Sequence, residues 1–543
     1  MILSYLSTLF LSFCILGYSY LLKIIILQKK EKILNIDFIY GLLILIFLSI
    51  LINFFLPIKY FFIPVILVGI FFFINLLYKK KHDINFSNIF VVSFLIIFIS
   101  HGQGITYDSQ LYHLQTIQLA SNNNIIFGIA NLQPHYGMNS AWHVFLSLFN
   151  FKFYGINLIY LANLSILSFY INQIFSTKRC KEINISFIFL TLSLVYIFTY
   201  SFFHPYNNGT ILNLLGSPEA DLTAMIFYIL SIYIFTLCIE KKRIEDFYLL
   251  SIVIFLTITT KVSYLGVLLF FIYALAIFKK EKIYINKLNF LILLTGVLWV
   301  LKSFILSGCL IFPISFTCFD VTWALDQADV KSYSQIVQSF ARDTPERLNF
   351  TNFNYTLYSS AWFVPWFKNY FLKTEFLYVS FTLICLSLIL FMIFYNHKKY
   401  PQILKSNFII YIAIFIINLI LWLRAPEIRF GYGTIISLVC ILLSYNLKMI
   451  NYNNFNNKFL LVIFIMIFMP MVIKNFDNYK KFNDISFVRN FDYSEIKKIY
   501  VSNNFEVFKP SKSVFCNDFQ KFCTYQGFNV NIENLNGYYF LSK

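Results

Sequence analysis

Apolar stretches close to 20 residues recur along most of this 543-residue chain. Each is long enough to cross about 30 Å of hydrocarbon as a helix. Composition agrees: 59% of residues are hydrophobic and 13% charged, where globular chains run about 25% charged. The expected fold class is an all-α polytopic membrane protein. Spans are predicted at about 4–27, 36–56, 60–78, 86–100, 154–176, 184–203, 221–239, 246–260, 262–278, 288–306, 376–395, 406–423, 430–447 and 458–473, about 14 transmembrane helices in all. Residues 1–27 read as the first span and not as a cleaved signal peptide, since no basic region precedes them.

The formal net charge is +18, but the cations cluster in short loops between spans, the pattern that sets topology and not one that binds nucleic acid. The clusters are Lys29, Lys30 and Lys32; Lys79, Lys80 and Lys81; Lys178, Arg179 and Lys181; Lys241, Lys242 and Arg243; Lys279, Lys280 and Lys282; and Lys398 and Lys399. If each is cytoplasmic, an even number of crossings separates successive clusters, and both termini fall outside. So do 101–153, 204–220, 307–375 and 424–429. This parity requires the apolar segment 139–150 to lie along the outer surface, with Trp142 at headgroup depth.

The chain divides into 1–100 (N-terminal spans), 101–153 (first outer loop with surface helices), 154–306 (transmembrane core), 307–375 (outer loop), 376–473 (C-terminal spans) and 474–543 (a small mixed α/β outer tail). Of the nine cysteines, Cys309 and Cys318, and Cys516 and Cys523, form two close pairs in outer segments. Disulfides there fit an oxidising compartment; reduced thiols or a metal site are the alternatives, although neither pair has C-x-x-C spacing.

Residues 101–143 concentrate ionisable groups: Asp108 and four of the chain's seven histidines, His101, His113, His135 and His143, beside Tyr107, Tyr112 and Trp142. Further ionisable groups recur at outer span mouths: Glu219 and Asp221 in GSPEAD (216–221), Lys261, Lys302, and Arg424, Glu427 and Arg429 in RAPEIRFGYG (424–433). Singly, each is an ordinary interfacial residue. Two Pro/Gly-broken acidic segments on one side point to a cavity, where non-helical backbone is tolerated at membrane depth. Guanidinium and ammonium groups there suit a phosphate; carboxylates suit sugar hydroxyls, a metal ion or general-base duty.

With TYDSQLYHLQ (106–115), NLQPHYGMNSAW (131–142), GSPEAD, KSFILSGCLIFP (302–313) and RAPEIRFGYG, the chain resembles GT-C superfamily membrane glycosyltransferases, most closely bacterial inner-membrane proteins with a Y-D-x-x-L-Y-H-L-Q first loop. The resemblance covers roughly 100–435. It implies a polyprenyl-phosphate-linked sugar donor, an acceptor met on the periplasmic face of the inner membrane, and Asp108 as general base with His113 assisting. Tyr107, Tyr112, His135, Glu219, Asp221 and Glu427 would contact substrate, and Lys261, Lys302, Arg424 or Arg429 the donor phosphate. Many relatives carry paired acids in the first loop, whereas Ser109 and Gln110 follow Asp108 here; a divalent magnesium or manganese ion, if used, would take Asp108 and Asp221. The other readings are a transporter or flippase of a lipid-linked or anionic solute, and a surface-polysaccharide polymerase or ligase.

Overall fold

The computed structural model describes residues 1–26, 32–100, 105–153, 156–177, 185–203, 211–279, 287–342, 362–368, 407–449, 491, 493–502, 505–525 and 530–542. Within these the protein is mostly helical. Seven helical segments are long and apolar enough to cross a membrane: Ile2–Ile25, Asn35–Phe55, Ile58–Tyr78, Leu158–Ser176, Ala220–Lys241, Lys287–Ser307 and Ile428–Tyr445; shorter apolar helices lie at Phe86–Ser100, Ile185–Thr199, Val262–Ile277 and Ile409–Trp422. Every predicted span coincides with a described helix except 376–395 and 458–473, which lie outside the described residues, as do His101, most of 343–406 and the basic residues at 178–181, 280–282 and 398–399.

The helices are α1 (Ile2–Ile25), α2 (Phe38–Phe55), α3 (Phe62–Tyr78), α4 (Phe86–Ser100), α5 (Leu114–Asn122), α6 (Ala141–Leu148), α7 (Ala162–Thr177), α8 (Ile185–Phe203), α9 (Ala220–Lys241), α10 (Ile244–Thr260), α11 (Leu268–Ile277), α12 (Lys287–Ser307), α13 (Gln327–Arg342), α14 (Asn407–Trp422) and α15 (Ile428–Met449). α9 is apolar all round apart from its ends and is buried from Ala220 to Cys238, as a helix without a polar face must be. It is packed by α7, α8, α10 and α15. α1 and α3 approach most closely where Gly17 faces Gly69; a Cβ on Gly17 would enter the van der Waals shell of the Gly69 carbonyl. Small residues at such crossings let helix backbones meet without a hydrophobic driving force.

Loops sort to two ends of the bundle. At one, Ile33 pairs with His82, Asn35 Nδ2 donates to Phe169 O at 2.9 Å, and Lys23 forms an ion pair with Asp37 at 2.5 Å. At the other, Asn53 Nδ2 reaches Ala120 O and Asn123 O, Ser140 Oγ donates to Thr260 O, and Asn139 Nδ2 donates to Trp299 O.

The first outer loop differs from its expected form in three respects. Ser109–His113 is a π turn ahead of α5, so the first of the expected surface helices is not regular throughout. α6 is not a surface helix: all eight of its residues, Trp142 included, are buried, and it packs on α2, α5 and α10. Trp142 is 0% exposed, so protein and not lipid headgroups surrounds it. A helix this apolar on every side finds its burial in protein as readily as in lipid, and hydropathy cannot tell the two apart. A two-stranded hairpin, β1 (Lys152–Phe153) with β2 (Ile156–Asn157), then precedes the next span.

Among its described residues the tail contains strands and no helix: β3 (Ile496–Ser502), β4 (Phe505–Pro510) and β5 (Phe522–Cys523) in one sheet, β6 (Asn531–Leu535) and β7 (Tyr538–Ser542) in another. β3 and β4 are antiparallel, β4 and β5 parallel. The tail sits on the first loop. Asn517 N donates to Gln110 O at 3.0 Å and Phe127 N to Tyr539 O at 2.9 Å; Gln115 Nε2 donates to Lys521 O at 2.7 Å and the Tyr136 hydroxyl to Cys523 O at 2.6 Å. Disulfides join Cys309 to Cys318 and Cys516 to Cys523.

Candidate functional site

Asp108 enters from the segment following α4, on the helical turn that leads into the π turn. Such a turn inserts one residue into helical register and re-aims the side chains around it. Ser109 Oγ thereby lies 2.6 Å from Ser217 Oγ, with Thr106 Oγ1 3.0 Å from the same Ser217 hydroxyl. These hydroxyls tie the first loop to the GSPEAD turn. The turn is held from beneath by Asn163 of α7, whose Nδ2 donates to Leu214 O, Ser217 O and Glu219 O at 3.1, 2.8 and 3.0 Å. Thr223 donates to Asn163 Oδ1 at 2.6 Å. Asn163 escaped the sequence reading; its signal was a polar amide inside an apolar span, which needs partners in the bundle.

Two ion pairs occupy the gap between these segments and the later helices. Arg429, at the start of α15, places Nη1 2.5 Å from Asp108 Oδ2 and Nε 2.6 Å from Glu427 Oε1. Lys261, just past α10, pairs with Asp221 at the start of α9. Phe430 lies between them, with Lys261 Nζ 4.2 Å and Arg429 Cζ 5.6 Å from its ring centroid. The Asp108 and Arg429 side chains keep 20% and 24% of their surface exposed, so a ligand can reach them.

Glu219 is 1% exposed, and neither carboxylate oxygen has a hydrogen-bond partner at normal geometry among the described residues. Burial, reinforced by Asp221, pushes its carboxyl up to about 8. Glu427 is raised too, by burial, with Arg429 opposing. Four carboxylates thus meet two cations, and the excess is relieved by keeping a proton on Glu219 near neutral pH. The folded state holds this proton between about pH 4.5 and 8 while the unfolded chain has released it, so its contribution to stability falls as pH rises through that window. The melting temperature should therefore drop from pH 6.5 to 8 and level off above. Glu219→Gln should flatten that limb in thermal unfolding in detergent; an unchanged slope would show that another group titrates.

The histidines sit beneath this cluster. His113 and His143 pack with tilted rings, their centroids 4.4 Å apart, and burial lowers both below the usual imidazole range, Arg429 and Lys261 adding to the effect at His113. His113 Nδ1 lies 3.3 Å from Ser109 Oγ and pairs with that hydroxyl, while the Asp108 carboxylate goes to Arg429. His135 packs against Tyr112 with ring centroids 4.7 Å apart, faces the Tyr525 hydroxyl of the tail, and is lowered by burial to about 4, with Asp108 opposing. Tyr107 is exposed and meets Phe515 of the tail edge-on at 5.0 Å.

The structure therefore brings Asp108, Glu219, Asp221, Lys261, Glu427 and Arg429 together, with His113, Tyr112 and His135 adjoining. Arg424 is exposed, and Lys302 is buried elsewhere against Asn53; neither joins the cluster. Among the described residues no three His, Cys, Asp or Glu side chains converge as a metal site. Asp108 and Asp221 each face a cation instead of one another.

Fold and site define a polytopic helical membrane protein with a partly accessible charged cluster at one end of its bundle. A family model described as a domain of unknown function, DUF8201, matches residues 1–436, and the chain belongs to that family. No curated protein matches it, and no solved structure does.

Proposed function

We propose that the protein is a GT-C-type membrane glycosyltransferase of the bacterial inner membrane. It would have about 14 spans and transfer a sugar from a polyprenyl-phosphate-linked donor to an acceptor on the periplasmic face. The observation that carries the reading is the meeting of Asp108, in the segment after the fourth apolar helix, with Arg429 across 321 residues of chain. A carboxylate and a guanidinium in one partly accessible recess supply the two functions that transfer requires.

In the proposed reaction an acceptor hydroxyl attacks the anomeric carbon as the bond from that carbon to the phosphate oxygen breaks, with inversion. The hydroxyl proton passes to Asp108, and the departing lipid phosphate takes the developing charge to Arg429 and Lys261. Phosphate binding competes for the Arg429 guanidinium and frees Asp108 from its ion pair. A carboxylate is a weak base for a hydroxyl, with an ordinary pKa near 4, so proton transfer accompanies attack and does not precede it.

A proton-coupled transporter is the second reading, favoured by Glu219, a buried carboxyl able to exchange a proton near neutral pH. The same purified protein distinguishes them. With a labelled polyprenyl-phosphate sugar, the enzyme yields label on a new acceptor in membranes; a transporter yields proton-dependent uptake or scrambling in liposomes and no new glycosidic bond.

A further inference from the structure

Lys302, near the end of α12, is 4% exposed. Its Nζ donates to Asn53 Oδ1. The orientation of that amide is set from its other end, where Asn53 Nδ2 donates to Ala120 O at 3.2 Å and Asn123 O at 3.1 Å. Among the described residues the ammonium group pairs with this amide oxygen and with no carboxylate.

Beside the lysine lies a cavity of about 40 Å³ walled by Asn53, Thr116, Ile125, Asn139, Val144 and Leu306, among others. A water needs roughly 10–15 Å³ of such space, so there is room for one small polar group. Asn139 Oδ1 is also buried without a hydrogen-bond partner, its Nδ2 being held at 2.7 Å by Trp299 O. An ammonium group with unused donors, no counter-ion and mostly apolar walls is unfavourable unless it gives up its proton or an anion completes it.

We propose that this cavity is an oxyanion site, separate from the charged cluster, which takes a carboxylate or phosphate group with Lys302 as its counter-charge. A protonated oxygen or hydroxyl of the same ligand would donate to Asn139 Oδ1. The group is either a free small anion or the headgroup of an anionic lipid, since α12 exposes Phe290, Leu293, Val297 and Leu301 along its length. The inference does not depend on sugar transfer.

The test uses the full chain in phosphatidylcholine nanodiscs, with the unfolding midpoint as readout. Sodium phosphate or sodium acetate is titrated against chloride at constant ionic strength, and a parallel preparation replaces part of the lipid with phosphatidylglycerol. A saturable rise with the free anions identifies a small-molecule site; a rise with phosphatidylglycerol alone identifies a lipid-headgroup site. Lys302→Met should weaken the response roughly 10- to 100-fold, the loss expected for a charge-assisted hydrogen-bonded pair. Without anion it should unfold no earlier than the wild type, because an uncompensated charge has gone. Should Lys302→Met fail to fold, Asn139→Asp supplies a built-in counter-anion and should abolish the response. A flat wild-type midpoint in every arm, or variants that respond like the wild type, overturns the proposal.

Discussion

Asp108→Asn is expected to reduce sugar transfer by about 10²- to 10⁴-fold, the usual contribution of a positioned general base, while the protein still expresses and folds. Asparagine preserves the shape of the side chain, and Arg429 keeps Glu427 as a partner at 2.6 Å, so no buried charge is stranded. The loss should fall on kcat and leave KM for the donor unchanged or lowered, since the proton is taken only as the acceptor attacks and the phosphate no longer competes with a carboxylate for Arg429. Initial rates with a labelled polyprenyl-phosphate sugar measure both. Retention of more than about a tenth of wild-type activity would remove Asp108 as the base, because the smallest effect expected of one is near 10²-fold.

Lys23→Met is expected to destabilise the protein by up to about 3–5 kcal/mol, the upper range for removing one partner of a buried ion pair. The Lys23 and Asp37 side chains are 7% and 3% exposed, and Asp37 Oδ2 also accepts from Leu34 N at 2.7 Å. Asp37 therefore cannot turn to solvent without giving up the bend between α1 and α2. The double variant Lys23→Met, Asp37→Leu should recover most of the loss, falling short by about the 1 kcal/mol of the missing hydrogen bond to Leu34. Chemical unfolding in micelles compares the three proteins. If single and double variants lose equal stability, the cost lies in packing and not in the lost ion pair.

The helices were legible because their signal is local. α9 and α12 announce themselves as unbroken apolar runs between polar breaks, and the helices from α1 to α4 do the same. The residues of the charged cluster were legible one at a time, as ionisable groups at span mouths. Their grouping was not. Lys302 and Arg429 carry similar sequence signals, a cation near an outer span end, yet Arg429 meets Asp108 and Lys302 meets Asn53. Trp142 shows the converse: aromatic residues next to polar loops suit a membrane interface, but here α2, α5 and α10 cover the helix first.

By itself the chain's pattern of apolar length and polar interruption determined that it folds in a membrane, where its helices run, and which residues lie near their ends. That information is contained within windows of about 20 residues, the thickness of the hydrocarbon measured along a helix. Which ends touch was decided by packing, since Asp108 and Arg429 stand 321 residues apart and nothing local to either specifies the other. The same holds for Asn163 beneath the GSPEAD turn and for the tail laid over the first loop. Their partners come from the way helices interlock, a property of surfaces brought together and not of any one segment.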